Sequence, residues 1–215
     1  MPMKLLILSG PSCVGKDPLL AALRRARPDL PLAEPVPYAS RRPRPGEIDG
    51  LHFHFRDAET IRALDPARFF VYRLRDQWRA LDWDELDRLR AESGRVVVQL
   101  TPAAVADFRA HPRLAAAEVT AVLLTPMDPA GADRESLTAF MRAAQRRRAE
   151  RLGLPLDADL EVRAAAAFDE MQPAPWFDHV IVNRDPEGHP NWDHDSPLGD
   201  AGRAVAALAA ILAAG

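Results

Sequence analysis

Lys4-Leu5-Leu6-Ile7-Leu8-Ser9, running straight into Gly10-Pro11-Ser12-Cys13-Val14-Gly15-Lys16, is the stretch from which the rest of the chain is read. Lys4 to Ser9 is a short apolar run bounded by Gly and Pro, the pattern of a buried parallel strand. Leu19 to Arg27, stopped before Pro28, reads as a helix. The GxxxxGK spacing between them therefore has the strand–loop–helix context that it needs. Glycines let the backbone curl until its N–H groups point inward at phosphate oxygens, and the helix N-terminus adds partial positive charge. Lys16 then reaches the outer phosphates as a mobile point charge. Gly10, Pro11, Ser12, Cys13, Val14, Gly15, Lys16 and Asp17 are the expected nucleotide-binding segment.

Asp17 breaks the usual pattern. Such loops follow Lys with Ser or Thr, whose hydroxyl binds Mg²⁺. Here the next residues are Asp17 and Pro18. Two readings stand side by side. Asp17 favours the helix N-terminus, with Pro18 tolerated in the first turn. Alternatively its carboxylate ligates or orients Mg²⁺, a hard cation that takes oxygen ligands.

Working outward, the 215 residues carry 28 basic and 31 acidic side chains, a net charge of −3, with 47% hydrophobic and 27% charged residues. This excludes a disordered tail, a collagen-like fibre and a disulfide-stapled miniprotein, and argues against nucleic acid or a membrane as partner. A lone cysteine, Cys13, points to a reducing cytoplasm. Residues 3–8 are too short for a secretory core, and the Ala-rich segment 204–214 reads as a buried amphipathic helix rather than a membrane span. Only Lys4 and Lys16 are lysines; the other basic residues are arginines.

Further β-rich runs fall at Phe69–Leu74, Arg95–Leu100, Val119–Leu124 and His179–Val182. Helical stretches lie at Trp83–Ser93, Ala103–Ala110, Glu135–Leu152, Leu160–Met171 and Asp200–Ala213. Alternation of this kind predicts an α/β fold with a doubly wound parallel sheet. Two stretches interrupt it and read as inserted lobes. Pro35–Arg56 is rich in Pro and Arg, and Thr125–Arg163 carries an Arg-dense helix. The expected division is a single domain with a core of residues 1–34, 84–125 and 164–215, an acceptor-binding lobe 35–83 and a lid 126–163.

The first lobe contains Ser40-Arg41-Arg42-Pro43-Arg44-Pro45-Gly46-Glu47-Ile48-Asp49-Gly50. Arginine forks bind phosphate bidentately, and the prolines and glycines keep this segment rigid and close. Together with GPSCVGK, the segment RRPRPGEIDGLHFHF resembles the guanylate kinase family, which pairs such a loop with TRxPRxGExxGxxYxF. Phe177-Asp178-His179-Val180-Ile181-Val182-Asn183 is similar to the family's FDYVIVN strand. The resemblance implies a P-loop kinase that uses ATP and Mg²⁺ to phosphorylate GMP. It assigns Lys16 and the loop to ATP, and Arg41, Arg44, Glu47 and Phe53 to the acceptor. Phe53 stands where the family has a phosphate-binding tyrosine. The lid arginines that spread charge during transfer correspond to Arg148 and Arg151, beside Arg147, and to Arg163. A second family arginine has become Phe168.

The chain departs from the family in two places. Val71, Ala80 and Asp82 stand where Glu, Tyr and Ser/Thr contact guanine and its phosphate. Valine offers no acceptor for the guanine edge, and an unpaired buried polar edge costs about 1–3 kcal/mol. The family's central strand ends in an acidic pair, whereas Arg95–Leu100 carries Gln99 and is followed by Thr101, so Asp17 is a candidate replacement for the missing carboxylate. The Lys-Asp step and the neutral amide also resemble ribose 1,5-bisphosphate phosphokinase. That relative, however, has a hydroxyl residue in place of Pro18 and lacks the RPRPGExxG segment. Two alternatives accompany the leading reading: a sugar-phosphate kinase, and a non-catalytic module that binds a phosphorylated partner.

Weaker groupings carry less. His189, Asp193, His194 and Asp195, with Trp192 among them, read as a solvated loop because their spacing matches no dedicated metal motif. His52 and His54 alternate on an expected strand. Trp78 and Trp83 read as packing residues.

Overall fold

The computed structural model describes residues 4–153, 158–172 and 174–214. The strands are β1 (Lys4–Ser9), β2 (Tyr38–Ala39), β3 (His54–Phe55), β4 (Phe69–Leu74), β5 (Gln77–Asp82), β6 (Arg95–Leu100), β7 (Glu118–Thr125) and β8 (His179–Val182). The helices are α1 (Lys16–Ala26), α2 (Ala58–Arg62), α3 (Trp83–Ser93), α4 (Pro102–Arg109), α5 (Arg134–Leu152), α6 (Ala158–Met171) and α7 (Gly199–Ala214).

One four-stranded sheet has the order β6-β1-β7-β8, with β7 and β8 parallel. Its strands are apolar on both faces. Leu5 to Leu8, Val96 to Val98 and Ala121 to Leu124 are all buried, as parallel strands covered by helices require. The sheet is the expected α/β core. On α7, Ala201, Ala204, Val205, Leu208, Ala209 and Leu212 form the buried stripe, the i, i+3, i+4 spacing of an amphipathic helix. No helix among the described residues is long and apolar enough to cross a membrane.

A second sheet, β3-β2-β5-β4, pairs β4 with β5 and β5 with β2 antiparallel, and β2 with β3 parallel. The run Phe69–Leu74 therefore belongs to an antiparallel hairpin and not to the parallel alternation. Its partner β5 escapes a sequence reading because Arg79 and Asp82, both buried, break the apolar pattern. Strand β3 covers only His54 and Phe55. His52 lies outside it, and its Nδ1 accepts a 3.1 Å hydrogen bond from the Ile48 amide. The two histidines thus do not alternate on one strand.

Helix α1 begins at Lys16, three residues earlier than the sequence pattern gives. Its first backbone bond, Leu19 N–H to Gly15 O at 3.0 Å, leaves Asp17 and Pro18 in the first turn. A first-turn N–H has no intrahelical partner, so proline costs nothing there.

Backbone proximity divides the chain into two compact units. One comprises Met1–Leu6, Leu32–Val98 and Asp107–Val119; the other comprises Ile7–Pro31, Gln99–Ala106 and Thr120–Gly215. In the first, Trp83 is fully buried, stacked on Phe108 at 5.2 Å and on His111 at 4.5 Å. In the second, Leu137, Met141, Ala164, Ala167 and Met171 lock α5 onto α6.

Candidate active site: a phosphate cradle and an arginine clamp

The loop 10–15 connects β1 to α1. Gly10 has φ +143°, and a Cβ there would sit 2.0 Å from the Leu124 carbonyl oxygen. Gly15 has φ +106°, with Asn183 Nδ2 3.0 Å and Trp192 Cζ2 3.2 Å from a built Cβ. Both positions require glycine, for conformation and for space. Cys13 also takes a left-handed conformation, φ 67°. Its side chain is buried, and that burial pushes the thiol pKa up.

Lys16 folds back over the loop, donating to Gly10 O at 2.9 Å and Pro11 O at 3.0 Å. Burial lowers its pKa, with Asp17 and Glu170 working in the opposite direction. The ammonium is thus held at the rim of the amide cradle.

The loop is braced from below by residues 183–192. Asn183 Nδ2 donates to Val14 O and to Asp185 O, each at 2.8 Å, and the Glu187 amide donates to Cys13 O at 2.9 Å. Trp192 Nε1 donates to Asp185 O at 2.8 Å. The Asp185 carboxylate accepts from Asn191 Nδ2 and the Ala201 amide. Trp192 and Asp185 are buried, so this part of the Pro/Gly loop is a packed support and not a solvated surface. Asp193, His194 and Asp195 are exposed, and no group of three metal-ligating side chains occurs among the described residues.

Asp17 is exposed on the first turn of α1. The N-cap is Gly15, and the helix has no side-chain cap. The Asp17 carboxylate instead accepts a 2.8 Å hydrogen bond from Gln99 Nε2 near the end of β6. Two residues further on, Thr101 Oγ1 is buried with no hydrogen-bond partner among the described residues.

Glu187 gathers the arginines of α5. Arg148 Nε donates to Glu187 Oε1 at 2.8 Å, and Arg151 Nη2 lies 3.7 Å from the same oxygen. Arg163 is half-buried on α6, while Arg147 is exposed. Phe168 packs against the α5–α6 cluster, with the Arg134 guanidinium 4.5 Å from its ring centre.

The arginine clamp lies in the first unit. Arg41 Nη1 and Nη2 each donate to one oxygen of Glu47 at 2.5 Å, and Nη1 also donates to Arg42 O. The Arg44 amide donates to Glu47 Oε2 at 2.8 Å. Burial acts to raise the Glu47 carboxyl pKa, but the Arg41 fork and the Arg44 amide outweigh it and hold it below the usual range. The fork end of Arg41 is thus committed, while its Nε is buried without a partner among the described residues. The Phe53 ring supports this guanidinium at 4.9 Å.

Val71, Ala80 and Asp82, the three positions expected to have diverged, have definite structural roles. Ala80 is buried with Ile61 and Phe69, and Val71 and Trp78 pack against them, so these positions line an apolar cluster. Asp82 caps α3 through the Asp84 amide at 2.9 Å and pairs with Arg68 at 2.8 Å. Sequence reasoning also missed Glu187 and Arg79. Glu187 sits in a stretch without periodicity, and Arg79 looks like any exposed arginine until β5 is seen to be buried.

A glycine cradle after the first strand of a parallel sheet, with lysine at its rim and arginines behind it, defines a nucleoside monophosphate kinase-like phosphotransferase. The fold agrees: guanylate kinase from Anaplasma phagocytophilum has a TM-score of 0.63 at 17% identity, over 99% of this chain and 86% of that one. The family model described as guanylate kinase matches residues 2–71. Guanylate kinase of Mycobacterium bovis is 32% identical over 191 residues, 84% of this chain and 80% of that protein. That of Frankia casuarinae is 46% identical over 71 residues, 33% of this chain and 38% of that protein. The chain belongs to the guanylate kinase family.

Proposed function

We propose that the protein transfers a phosphoryl group from ATP to GMP. The observation that carries this reading is the loop geometry: Lys16 held over Gly10 and Pro11 at the mouth of an amide cradle that no side chain but hydrogen fits at Gly10. The loop amides hold the ATP phosphates, and Lys16 turns from the loop carbonyls to the outer phosphate oxygens.

Arg41 and Arg44 hold the acceptor's phosphate. Arg41 presents its Nε edge, because its fork is fixed on Glu47. Glu47 therefore acts on the acceptor through Arg41, and the Phe53 ring sets the plane of that guanidinium. Arg148 and Arg151, gathered by Glu187, and Arg163 from α6 spread the charge of the transferring group. We assign acceptor binding to residues 35–83 and a closing lid to residues 126–163. Closure excludes water, and transfer demands that the two phosphates meet in line.

The donor set around the loop fits Mg²⁺. Asp17 supplies a carboxylate, Gln99 an amide oxygen and Thr101 a hydroxyl with no partner among the described residues, all oxygen donors of the kind this cation takes. Bound there with its waters, Mg²⁺ would neutralise charge on the β- and γ-phosphates. The buried thiol of Cys13 and the lack of any second cysteine suit the cytoplasm.

A coupled ADP-release assay across GMP, the other nucleoside monophosphates and ribose 1,5-bisphosphate tests the reading. GMP is expected to give the highest kcat/KM, and Lys16→Ala is expected to lower it by about 100-fold or more. Absence of turnover on every acceptor, with phosphate binding retained, would point instead to a non-catalytic binding module.

A further inference from the structure

The second sheet buries a charge that this mechanism does not use. Arg79 on β5 is only 7% exposed. Its Nη2 donates to Gln77 Oε1 at 3.3 Å, while its Nε and Nη1 are buried with no hydrogen-bond partner among the described residues. Burial of an unpaired guanidinium is costly, and native proteins tolerate it where an anion compensates.

The position of Arg79 says which anion. Alternation along β5 turns Trp78 and Ala80 into the apolar cluster with Ile61 and Phe69, and puts Arg79 on the other face with its register partners Ala39 and Tyr72. There its guanidinium lies 4.7 Å from the centre of the Phe53 ring, the same ring that carries Arg41 at 4.9 Å. A ring face offsets part of the charge but accepts none of the in-plane N–H groups. Burial pushes the Arg79 pKa down to about 10; Tyr72 and Glu47 oppose this and Arg41 and Arg44 add to it, so the group stays charged at neutral pH.

We infer that Arg79 is a third guanidinium of the acceptor-phosphate site, taking over the role of the hydroxyl that is absent at Phe53. Arg79 adds a positive charge on the Phe53 ring that already carries Arg41. An added guanidinium favours the dianionic end of a phosphomonoester, whose second pKa is about 6. A hydroxyl is neutral and serves a monoanion and a dianion alike, whereas this cluster favours the dianion. Acceptor recognition is thereby concentrated on the phosphate, since Val71 offers guanine no carboxylate. The inference rests on the kinase reading for the identity of the ligand, not for the existence of the site.

The probe is inorganic phosphate, titrated calorimetrically and by thermal shift into the full chain carrying Lys16→Ala, which weakens competing binding at the loop. Adding Arg79→Met is expected to lower phosphate affinity about 10- to 100-fold. In anion-free buffer the Met variant is expected to melt at the same temperature or higher, since an unpaired charge has been replaced by an apolar chain. Unchanged phosphate affinity overturns the inference, as does a lower anion-free melting temperature with affinity retained. If the Met variant does not fold, Arg79→Lys carries the same measurement: about a tenfold loss is expected, and an unchanged affinity overturns the assignment. With otherwise wild-type protein, Arg79→Met should raise KM for GMP more than it lowers kcat. Turnover of GMP with KM unaltered by that substitution defeats this inference alone. Arg79-dependent phosphate binding without turnover of any acceptor defeats the kinase reading alone.

Discussion

The Asp17 carboxylate accepts a 2.8 Å hydrogen bond from the Gln99 amide across 82 residues of sequence. The acid stands on the first turn after the loop and the amide on the strand; in the proposed site Asp17 supplies the acid that the strand lacks, and Gln99 holds it in place. Asp17→Asn keeps the shape and removes the charge. We expect it to lower kcat at least tenfold at about 1 mM Mg²⁺, with partial recovery at higher Mg²⁺. Affinity for metal-free ATP should hold or rise, because an anion beside the triphosphate is gone. Steady-state kinetics over a Mg²⁺ titration, with calorimetry in chelator, checks both. A kcat that is normal at every Mg²⁺ concentration would remove Asp17 from the metal's surroundings.

Glu187 joins the loop to the arginines of α5: its amide holds Cys13 O and its carboxylate holds Arg148. Arg148 is raised in pKa; burial acts against this, but Glu187 outweighs it. Glu187→Gln leaves the amide bond and weakens the ion pair. We expect kcat to fall about tenfold and KM for ATP to change less, since the arginines would lose their fixed geometry in the transition state. Equal loss in KM and kcat/KM with kcat intact would place Arg148 in ground-state binding alone.

Asp82 caps α3 and pairs with Arg68. Burial tends to raise its carboxyl pKa, but the Arg68 guanidinium and the Asp84 amide outweigh that and depress it. A depressed carboxyl contributes stability that is fully present above its unfolded pKa, about 3.9, and is lost as pH falls through the lower folded value. Asp82→Ala should therefore cost about 1–2 kcal/mol at pH 7, and the difference from wild type should shrink only below about pH 4. Urea denaturation from pH 7 to pH 3 measures it. A gap that closes already between pH 7 and pH 5 would assign the effect to another group.

Local signals made much of the fold readable. β1, β4, β6 and β8 have the bounds that their apolar runs give, and α3 those of its pattern between Trp83 and Ser93. The loop was readable because its glycines, lysine and flanking elements are contiguous in the chain. β5 was not, because two buried charges make Gln77–Asp82 look like surface. The brace of Asn183, Asp185 and Trp192 beneath the loop was hidden for a different reason: each member bonds a backbone group whose position only folding determines.

The sequence by itself determined the strands of the parallel sheet and the residues of the loop, since backbone conformation at Gly10 and Gly15 and the charge of Lys16 and Arg41 are properties of short segments. The tertiary structure decided how each charge is used. Glu47 orients Arg41, Asp82 caps a helix, Asp17 meets Gln99, and Arg79 is buried beside Phe53 with two nitrogens unpaired among the described residues. A side chain's charge is fixed by its identity, but its partner and its exposure to water are fixed by residues far away along the chain.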